Sequence, residues 1–457
     1  MPETAPQRST TARDLVTARI AGRAKQFPRL FPEALRTDGL DTRDTALAHA
    51  IDQAVARRWL TLVAVLEAKL NRPWDRLHPS VQAPLLVGAA QLLLMERIPD
   101  HAAINEAVNW TKPRQPKAAG MVNAVLRRVA ELREKTERVS FARPAADGER
   151  ESRSLFSRDE LPLHDGRVLR LREPVFDEDP LKRLAQQTSH PPELLARWVE
   201  RYGFEQAARL AEHGLIRPPI IVSGADPLPG PPLCEPHDEP GFAVFTGERA
   251  SLVPLLADYP TLRVQDPGSA AAVTATAEQV PNLIVELCAG KGTQTRQLTA
   301  IHPQALIIAS DANPQKLAVL RDDFAGHDRV RVVEPAGLID HAGQADLVIV
   351  DVPCSNTGVL ARRVEARYRC TDEILTELWD LQRQILVDAV RLTTPQGRIL
   401  YCTCSIEPQE NTEQVRRLVK WHKARVQYQR HLLPAGRPGD PASGYRDGGY
   451  FAILQLP

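Results

Sequence analysis

The feature that most constrains the fold is an alternation of apolar runs and helical segments that begins near residue 283. It opens with residues 284–298, IVELCAGKGTQTRQL, in which a short apolar strand leads through Gly290 and Gly292 towards a helix. Glycine lets the backbone turn sharply and approach a ligand closely. Because strands that alternate with helices build parallel sheets covered by helices, we expect a doubly wound, Rossmann-like α/β domain here.

The same stretch is a candidate ligand site. A strand, a glycine turn and a helix aim unpaired amide groups at whatever lies above the sheet. A second apolar run, ALIIAS at residues 305–310, is closed by Asp311, and an acidic residue about twenty positions beyond such glycines is placed to bind ribose hydroxyls. A glycine pair after a strand also serves simply as a turn, and these two segments alone leave both interpretations open.

Two later strands each deliver a cysteine to the edge where such sheets bind ligands. ADLVIVD runs into Val352-Pro353-Cys354, with Asp351 closing the strand, and GRILYC runs into Thr403-Cys404. A thiolate is the reactive form of cysteine, and it is favoured near helix N-termini. A lone cysteine at a strand end is more often a small core residue. Two cysteines with an aspartate beside them favour a catalytic role.

Metal binding is the competing interpretation of the same cysteines. Cys402, Cys404 and Cys354 could be imagined as thiolate ligands. No fourth ligand lies at an obvious spacing, and Cys402 and Cys404 share a face only while the strand stays regular. We therefore expect no metal.

Composition limits the class of protein. A chain of 457 residues is long enough for two or three domains. No run of about eighteen uncharged apolar residues occurs and the N-terminus lacks the apolar core of a secretory signal, so we expect a cytoplasmic protein without a membrane partner. The six cysteines are too scattered for a disulfide framework, which favours reduced thiols.

The N-terminal third reads almost entirely as helix. Residues 81–95 are apolar nearly all round, which predicts a central buried helix. Residues 1–150 hold 24 Lys and Arg against 17 Asp and Glu, although a modest excess is usually only a solvated surface. A basic loop followed by a basic helix is a candidate surface for an RNA backbone. Its residues are Lys112, Arg114, Lys117, Arg127 and Arg128.

These patterns predict a multidomain chain. We place an all-α domain at residues 1–140 and a linker rich in charge and proline at 141–180. A small mixed α/β segment follows at 181–262, and the Rossmann-like domain occupies 263–457.

At this point several motifs together resemble a known family. They are LLVGAAQLLLMERIPDHAAINEAV and GMVNAVLRRV in the helical domain, then VQDPGSAAAV, ELCAGKGTQT, DVPCSNTGVL, YCTCSIEPQENTEQV and DGGYFAILQL. The chain resembles the bacterial ribosomal RNA cytosine-5 methyltransferases of the Sun/Fmu type, nearly end to end. The two cysteine motifs in this order are the most specific signal. The resemblance implies a NusB-like RNA-binding domain followed by a class I methyltransferase domain.

The resemblance also implies roles for named residues. Cys404 is the expected nucleophile towards carbon 6 of the target cytosine. Asp351 is expected to contact the base near ring nitrogen 3, and Cys354 to assist loss of the carbon 5 proton and enzyme release. S-adenosylmethionine is the expected cofactor and small-subunit ribosomal RNA the expected partner, with the protein acting as a monomer. The expected cofactor contacts are Cys288, Ala289, Gly290, Lys291, Gly292, Thr293, Gln294, Asp311 and Asp351.

The chain departs from the family at the cofactor loop. CAGKGTQT stands where CAAPGGKT is common, so that Lys291 replaces proline and Gln294 replaces lysine, and Ala336 occupies the place of an aspartate that contacts the cofactor near the adenine. After the first cysteine motif, ARRVEARYR replaces a more usual segment in which tryptophan is common. Two alternatives stay open for this reason: a non-catalytic RNA-binding factor of ribosome assembly, and a methyltransferase of the same chemistry that acts on transfer RNA.

Overall fold

The computed structural model describes residues 11–140 and 156–457. The chain forms two compact units, each built from three segments: Met1–Ile216 with Arg363–Cys370 and Arg437–Gly439, and Arg217–Arg362 with Thr371–Gly436 and Asp440–Pro457. The boundaries at 140, 180 and 262 stay predictions. Residues 1–10 of the predicted helical domain and 141–155 of the predicted linker lie outside the described residues.

Five helices open the first unit. They are α1 (Ala12–Gln26), α2 (Thr42–Glu67), α3 (Pro79–Leu94), α4 (Asp100–Thr111) and α5 (Ala119–Leu132). Every residue of α3 from Val81 to Leu93 is buried, and the other four helices pack around it. The predicted central helix is therefore confirmed. Its apolar character all round is what allows four helices to cover it.

The rest of the first unit is mixed. It contains β1 (Arg133–Ser140), β2 (Glu160–Pro162), β3 (Arg167–Leu171), α6 (Pro180–Thr188), α7 (Pro192–Tyr202) and α8 (Phe204–His213). The three strands form an antiparallel sheet in the order β1-β3-β2. The N-terminal third was predicted to be almost entirely helical, and this is wrong from Arg133 onwards, because pairing with the distant β3 overrides the local helical preference. Gly203, whose φ is 78°, separates α7 from α8.

The second unit begins with a small antiparallel sheet. Its elements are β4 (Ile220–Ser223), β5 (Cys234–Pro236), β6 (Phe242–Phe245), α9 (Leu252–Asp258) and β7 (Arg263–Val264), with strand order β5-β6-β4-β7. The proline-rich stretch before β6 hid β5, since proline is depleted in strands.

A seven-stranded sheet forms the body of the second unit. Its elements are α10 (Pro267–Thr274), β8 (Leu283–Leu287), α11 (Thr293–Ile301), β9 (Leu306–Ala309), α12 (Pro314–Asp323), β10 (Val330–Val332), β11 (Ala345–Asp351), α13 (Asp372–Leu392), β12 (Thr393–Thr403), α14 (Thr412–His422), β13 (Arg425–Leu432) and β14 (Gly449–Gln455). The strand order is β10-β9-β8-β11-β12-β14-β13. The first five strands in this order are parallel, while β14 runs antiparallel to both of its neighbours.

Apolar side chains cover both faces of this sheet. One core contains Ile284, Ile307 and Ile349, and the other contains Val285, Ile308 and Val350. Neighbouring residues of one strand point to opposite faces, so strands buried on both sides read as continuous apolar runs. Among the described residues, no helix is both long and apolar enough to cross a membrane.

The strand register decides where chemistry can occur. Val350 on β11 pairs with Leu287 on β8, and Asp351 pairs with Cys402 on β12. Because these three strands are parallel, their carboxyl ends meet at one edge of the sheet. The glycine loop and both cysteine motifs therefore leave the sheet side by side, as the sequence predicted.

Candidate active site

The glycine loop between β8 and α11 turns through three left-handed residues. Cys288, Gly290 and Gly292 have φ values of 60°, 64° and 82°. A Cβ atom on Gly292 would lie 2.6 Å from the ring of Phe324, whereas a Cβ on Gly290 would meet nothing within 4 Å. Gly292 is thus required by close packing as well as by its backbone conformation. Gly290 leaves open space beside the loop, on the side where a ligand can approach.

Asp311 lies beside this loop at the end of β9. The side chain is buried, with 6% of its surface exposed. The amide of Gly290 donates to Oδ2 over 2.9 Å, and the amide of Asn313 donates to Oδ1 over 2.8 Å. Lys316 Nζ lies 3.8 Å from Oδ2. The carboxylate therefore holds the loop in place and keeps lone pairs for further donors, as a ribose-binding residue requires.

Asp351 closes β11 directly under the start of α11. Gln294 Nε2 donates to its Oδ2 over 2.9 Å. Burial raises the pKa of Asp351 to about 6, against the opposing influence of Lys316 and of the hydrogen bond from Gln294. A carboxyl group with this pKa is present in both its acid and its anionic form near neutral pH. It can therefore donate a hydrogen bond as well as accept one.

Two further groups beneath the loop are held neutral. Burial raises the pKa of Glu286 to about 8, and Thr295 Oγ1 donates to this carboxyl over 2.6 Å. Burial also raises the pKa of the Cys288 thiol to about 12, assisted by the charges of Asp351 and Asp311. Cys288 is therefore no nucleophile at neutral pH. Its place in the site is that of a small, half-buried side chain.

The two predicted catalytic cysteines are in direct contact. Cys354 Sγ lies 3.0 Å from Cys404 Sγ, and both thiols are free. Cys404 also lies 3.3 Å from Oδ1 of Asn356. Two effects raise the pKa of Cys354 well above its ordinary value: the larger is its hydrogen bond with Cys404, and the second is burial. Cys354 thus keeps its proton and can donate it towards the Cys404 sulfur.

A buried carboxylate ties the two cysteine loops together. Glu410 is fully buried, and its Oε1 accepts from Ser355 N over 2.8 Å and from Gln382 Nε2 over 3.0 Å. Its Oε2 accepts from the hydroxyls of Ser355 and Ser405. Since Ser355 follows Cys354 and Ser405 follows Cys404, one side chain fixes both loops relative to each other.

Sequence reasoning missed Asn356 and Glu410. Asn356 has a φ of 63°, and its Nδ2 donates to Cys354 O over 2.7 Å. Asparagine is one of few residues that adopt this conformation readily, so its position two residues after Cys354 was a usable signal. Glu410 lies in a polar stretch that resembles a surface loop. Nothing in the local sequence indicates that it is buried.

The remaining predicted residues fall as follows. In the glycine loop and the first turn of α11, Ala289 and Gln294 are buried, while Lys291 and Thr293 are exposed. Ala336 lies in an exposed turn of 3-10 helix, Pro335–His341. Among the described residues there is no group of three or more side chains able to hold a metal. Cys402 instead points to the carbonyl of Val350, with Sγ 3.6 Å from the oxygen.

The predicted RNA-binding residues lie in the first unit, along the connection from α4 to α5 and on α5. All five are exposed. The Arg114 guanidinium lies over the ring of Trp110, 4.2 Å from its centroid, and Arg128 donates to Lys69 O over 3.1 Å. Their contact with RNA stays a prediction.

Comparison with known proteins finds a family match for each of two parts of the chain. Residues 273–434 match the family described as 16S rRNA methyltransferase RsmB/F, and residues 8–131 match the NusB family. Ribosomal RNA small subunit methyltransferase B of Vibrio cholerae is 27% identical over 90% of this chain and 89% of its own length. Its counterpart in Xanthomonas campestris is 29% identical over 91% of this chain and 89% of its own length. The solved structure of PH0851 shares the fold, with a TM-score of 0.66 and 17% identity over 99% of this chain and 100% of that one.

The fold and the residues gathered at the edge of its sheet define a Rossmann-like methyltransferase. More narrowly, residues 273–434 belong to the family of 16S rRNA methyltransferases RsmB/F, and residues 8–131 belong to the NusB family. The predicted fold class and the predicted family are both confirmed.

Proposed function

We propose that this protein transfers a methyl group from S-adenosylmethionine to carbon 5 of a cytosine in 16S ribosomal RNA, through a covalent bond between Cys404 and the base. The observation that carries the proposal is the contact of Cys354 with Cys404, 3.0 Å apart, at the same sheet edge as Asp351. The names of the relatives from Vibrio cholerae and Xanthomonas campestris support small-subunit ribosomal RNA as the substrate.

The residues at the glycine loop fit S-adenosylmethionine. Open space beside Gly290 admits a ligand against the backbone, and Asp311 keeps acceptor capacity for ribose hydroxyls. The exposed segment that contains Ala336 offers a methyl group where the family resemblance implies a carboxylate. The lost hydrogen bond would cost about 1–3 kcal/mol, which weakens cofactor binding without abolishing it. When bound, S-adenosylmethionine supplies an electrophilic methyl group.

Cys404 and Asp351 would activate the base together. The Cys404 thiolate forms a bond to carbon 6, and the electrons of the C5–C6 double bond move onto carbon 5 and towards ring nitrogen 3. Because burial raises the pKa of Asp351 to about 6, its acid form can donate a proton or hydrogen bond to nitrogen 3 as charge develops there. Carbon 5 then becomes nucleophilic enough to be methylated. The target base must leave its stack to reach these side chains.

Cys354 would complete the cycle. After methylation the carbon 5 proton must leave, its electrons reform the C5–C6 double bond, and the bond from carbon 6 to Cys404 breaks. The first cause of the high Cys354 pKa is its hydrogen bond with Cys404. That cause is removed while Cys404 is bonded to the base. Cys354 can therefore release its proton to water at this stage and, as the thiolate, accept the proton from carbon 5, directly or through water.

The experiment incubates the purified protein with S-adenosylmethionine and unmodified 16S ribosomal RNA, followed by mass spectrometry of the nucleosides. The proposal expects 5-methylcytidine with the wild type and none with Cys404→Ala. Unmodified transfer RNA is the parallel substrate, and methylation of transfer RNA alone would replace the proposed substrate. A control enzyme shows that the assay works. If the folded wild type then modifies neither RNA, a non-catalytic role in ribosome assembly replaces the proposal.

A further inference from the structure

We infer that the first unit holds a buried binding site for a small oxyanion, built around the guanidinium of Arg58 at the break in α2. At this residue φ and ψ are −122° and 20°, which are not helical values. The site would take inorganic phosphate or a small carboxylate, because each presents a pair of oxygens to a guanidinium. The inference does not depend on the proposed function, since it involves none of the residues that act in methyl transfer.

Arg58 is a buried cation without a hydrogen-bond partner. Its exposed fraction is 4%. Within the part of the chain that the structure describes, its Nε and Nη2 atoms donate no hydrogen bond, and it forms no ion pair. Buried polar groups are nearly always paired, so this exception calls for an explanation.

The two unpaired nitrogens lie on one edge of the guanidinium. Because this group is planar and rigid, Nε and Nη2 direct one N–H each towards the same side. Such an edge donates two parallel hydrogen bonds to two oxygens of one phosphate or carboxylate group. A single water molecule or a chloride ion offers only one acceptor atom. The unpaired edge therefore fits an oxyanion best.

The charges around Arg58 are positive. Burial, then the charge of Arg367, lowers the pKa of Arg58 to about 9, with a further contribution from Arg57 and an opposing one from Tyr368. Arg58 is therefore still charged near neutral pH. A buried charge without a counterion is strongly unfavourable. Water can accept its hydrogen bonds but supplies no negative charge, whereas an oxyanion provides acceptors as well as negative charge.

Among the described residues, no carboxylate balances the charge of Arg58. Glu365 raises the pKa of Arg367 but has no influence on that of Arg58. The ion-pair partner of Glu365 is Arg23, whose Nη2 lies 3.3 Å from its Oε1. An oxyanion taken up from solution would supply the missing negative charge.

The two arginines that act on Arg58 have carbonyl partners that account for their own positions. Arg367 donates to Thr188 O over 3.1 Å and to Gly214 O over 2.8 Å. Arg57 donates to Ile216 O over 2.9 Å. These carbonyls lie at the carboxyl ends of α6 and α8, where helices leave carbonyl groups without intrahelical donors. Carbonyl groups carry no net charge, so the local excess of positive charge remains.

Two further side chains near Arg58 carry buried polar atoms without partners. Thr61 follows Arg58 on α2, and neither its hydroxyl nor Nε2 of His190 has a hydrogen-bond partner among the described residues. Burial, followed by the charges of Arg367 and Arg58, lowers the pKa of His190 well below its ordinary value. His190 is thus neutral near pH 7 and close enough to respond to both cations. Unpaired atoms on three side chains indicate a polar space that a ligand can occupy.

The site joins segments that are distant in sequence. Arg58 lies on α2, and Arg367 lies on the short 3-10 helix Val364–Arg369. An anion bound at Arg58 would offset the repulsion between these two cations, and it would therefore favour the packing of the second segment against α2. Occupation of the site should slow local opening of α2.

The first measurement is equilibrium dialysis of the full-length protein against radiolabelled phosphate at constant ionic strength. The protein is first dialysed exhaustively into chloride, and any phosphate it still retains is released by denaturation and assayed. Arg58→Met removes the guanidinium, and Arg43→Met, at an exposed position of the same helix, is the matched control. We expect the wild type and Arg43→Met to bind about one phosphate per chain more than Arg58→Met, since hydrogen bonds to a charged group are the strong ones.

Acetate is then added as a competitor to distinguish the two kinds of oxyanion. Displacement of phosphate by acetate assigns the site to small carboxylates as well, and its absence restricts the site to phosphate. Both results support an oxyanion site at Arg58.

The second measurement is hydrogen exchange of peptides from α2, with and without phosphate. It can be made on the wild type alone, so it decides the inference even if Arg58→Met does not fold. We expect phosphate at about ten times its Kd to slow exchange in the wild type by about tenfold, since a ligand that binds only the closed form suppresses opening in proportion to its concentration. Arg43→Met should respond like the wild type, and a folded Arg58→Met should not respond.

Three results would overturn the inference. The first is a wild type that binds no more phosphate or acetate than Arg58→Met does. The second is exchange in α2 that phosphate leaves unchanged in the wild type, or slows equally in Arg58→Met. The third is an Arg58→Met protein that exceeds the wild type in stability to urea by the same margin at every phosphate concentration, because a buried charge without a counterion behaves in this way. None of these measurements uses RNA or S-adenosylmethionine, so failure of the proposed function would leave the inference standing.

Discussion

Cys354 and Cys404 differ in exposure and in hydrogen bonding. This difference supports a different chemical role for each thiol. Cys354 has only 9% of its surface exposed and lies behind Cys404. Its raised pKa keeps the proton on Cys354, which leaves the half-buried Cys404 as the sulfur that can reach a base. Cys288 and Cys402 are excluded by the same reasoning, because burial raises the pKa of each.

The first prediction concerns enzyme release. Cys354→Ala should accumulate a covalent complex between protein and RNA, since the proposed acceptor of the carbon 5 proton is gone while the proposed nucleophile, Cys404, is still present. The measurement is a denaturing gel of the protein after incubation with RNA and S-adenosylmethionine. Cys354→Ala combined with Cys404→Ala should give no complex. A clean gel with normal turnover for the single substitution would contradict the role given to Cys354.

The second prediction concerns Glu286 and pH. Burial places the folded-state pKa of Glu286 at about 8, against an ordinary value of 4.5. A raised folded-state pKa contributes stability that is complete below the ordinary value and is lost as pH rises through the folded value. Each unit of difference corresponds to about 1.4 kcal/mol. Glu286→Gln keeps an acceptor for Thr295 and never ionises. Between pH 5 and 8 the free energy of unfolding of the wild type should therefore fall relative to that of Glu286→Gln, by about several kcal/mol at most.

Urea unfolding at a series of pH values measures this difference. Glu278→Gln, at an exposed site, is the control and should follow the wild type throughout. Parallel curves for Glu286→Gln and the wild type would show that Glu286 is ionised in the folded protein at neutral pH.

At the scale of elements, the active site depends on a hydrogen-bond network that joins the ends of β11 and β12. Glu410 accepts four hydrogen bonds, two at each oxygen. Gln382 on α13 adds a second link, because its Nε2 also donates to Pro353 O over 2.9 Å. The distance between the two cysteine sulfurs is therefore set by side chains that touch neither sulfur.

The third prediction follows from this network. Glu410→Gln replaces one acceptor oxygen by a donor that faces other donors, so the free energy of unfolding should fall by about 1–3 kcal/mol. The two loops should also separate, and we expect Cys354 to react faster with iodoacetamide, as measured by mass spectrometry of the labelled peptides. Glu413→Gln, on the first turn of α14, is the matched control. Unchanged labelling of Cys354 in a destabilised Glu410→Gln protein would limit Glu410 to a role in stability.

The same scale shows how far sequence could predict the fold and the site. Cys354, Cys404 and Asp351 were placed together correctly, because apolar runs identify parallel strands and the ends of such strands share an edge. β13 was missed, since an edge strand exposed along seven of its eight residues has no apolar alternation to reveal it. The burial of Glu410 was missed because two of its hydrogen-bond partners are distant in sequence. Its partners are Ser355, Ser405 and Gln382, and only the folded chain brings them together.

At the scale of the whole molecule, the two compact units are not two consecutive stretches of chain. Arg363–Cys370 belongs to the first unit although it lies between β11 and α13 of the second. This is the segment in which ARRVEARYR departs from the family pattern. Its Tyr368 has 1% of its surface exposed and packs in the helical core. A division of the chain at any single point therefore removes part of one unit.

Tyr368 occupies a break in α2. Arg58 has non-helical φ and ψ values of −122° and 20°. The Tyr368 hydroxyl donates to Ala56 O over 2.9 Å, and Ser189 Oγ accepts from Leu60 N over 3.0 Å. The hydroxyls of Tyr368 and Ser189 also lie 2.9 Å apart. Two side chains from distant segments thus satisfy the backbone groups that the broken helix leaves unpaired, as buried backbone groups require.

The fourth prediction tests this dependence in the intact chain. Tyr368→Ala should lower the stability of the first unit by about 3–5 kcal/mol, because it leaves a cavity and frees Ala56 O. Tyr368→Phe should cost only about 1 kcal/mol, since the ring stays in place. Hydrogen exchange of peptides from α2 measures the effect, and Tyr259→Ala, at an exposed residue, is the control. A separately produced fragment 1–216 lacks Tyr368 altogether and should exchange as fast as Tyr368→Ala. Exchange in that fragment as slow as in the intact wild type would show that the helical unit folds fully without residues 363–370.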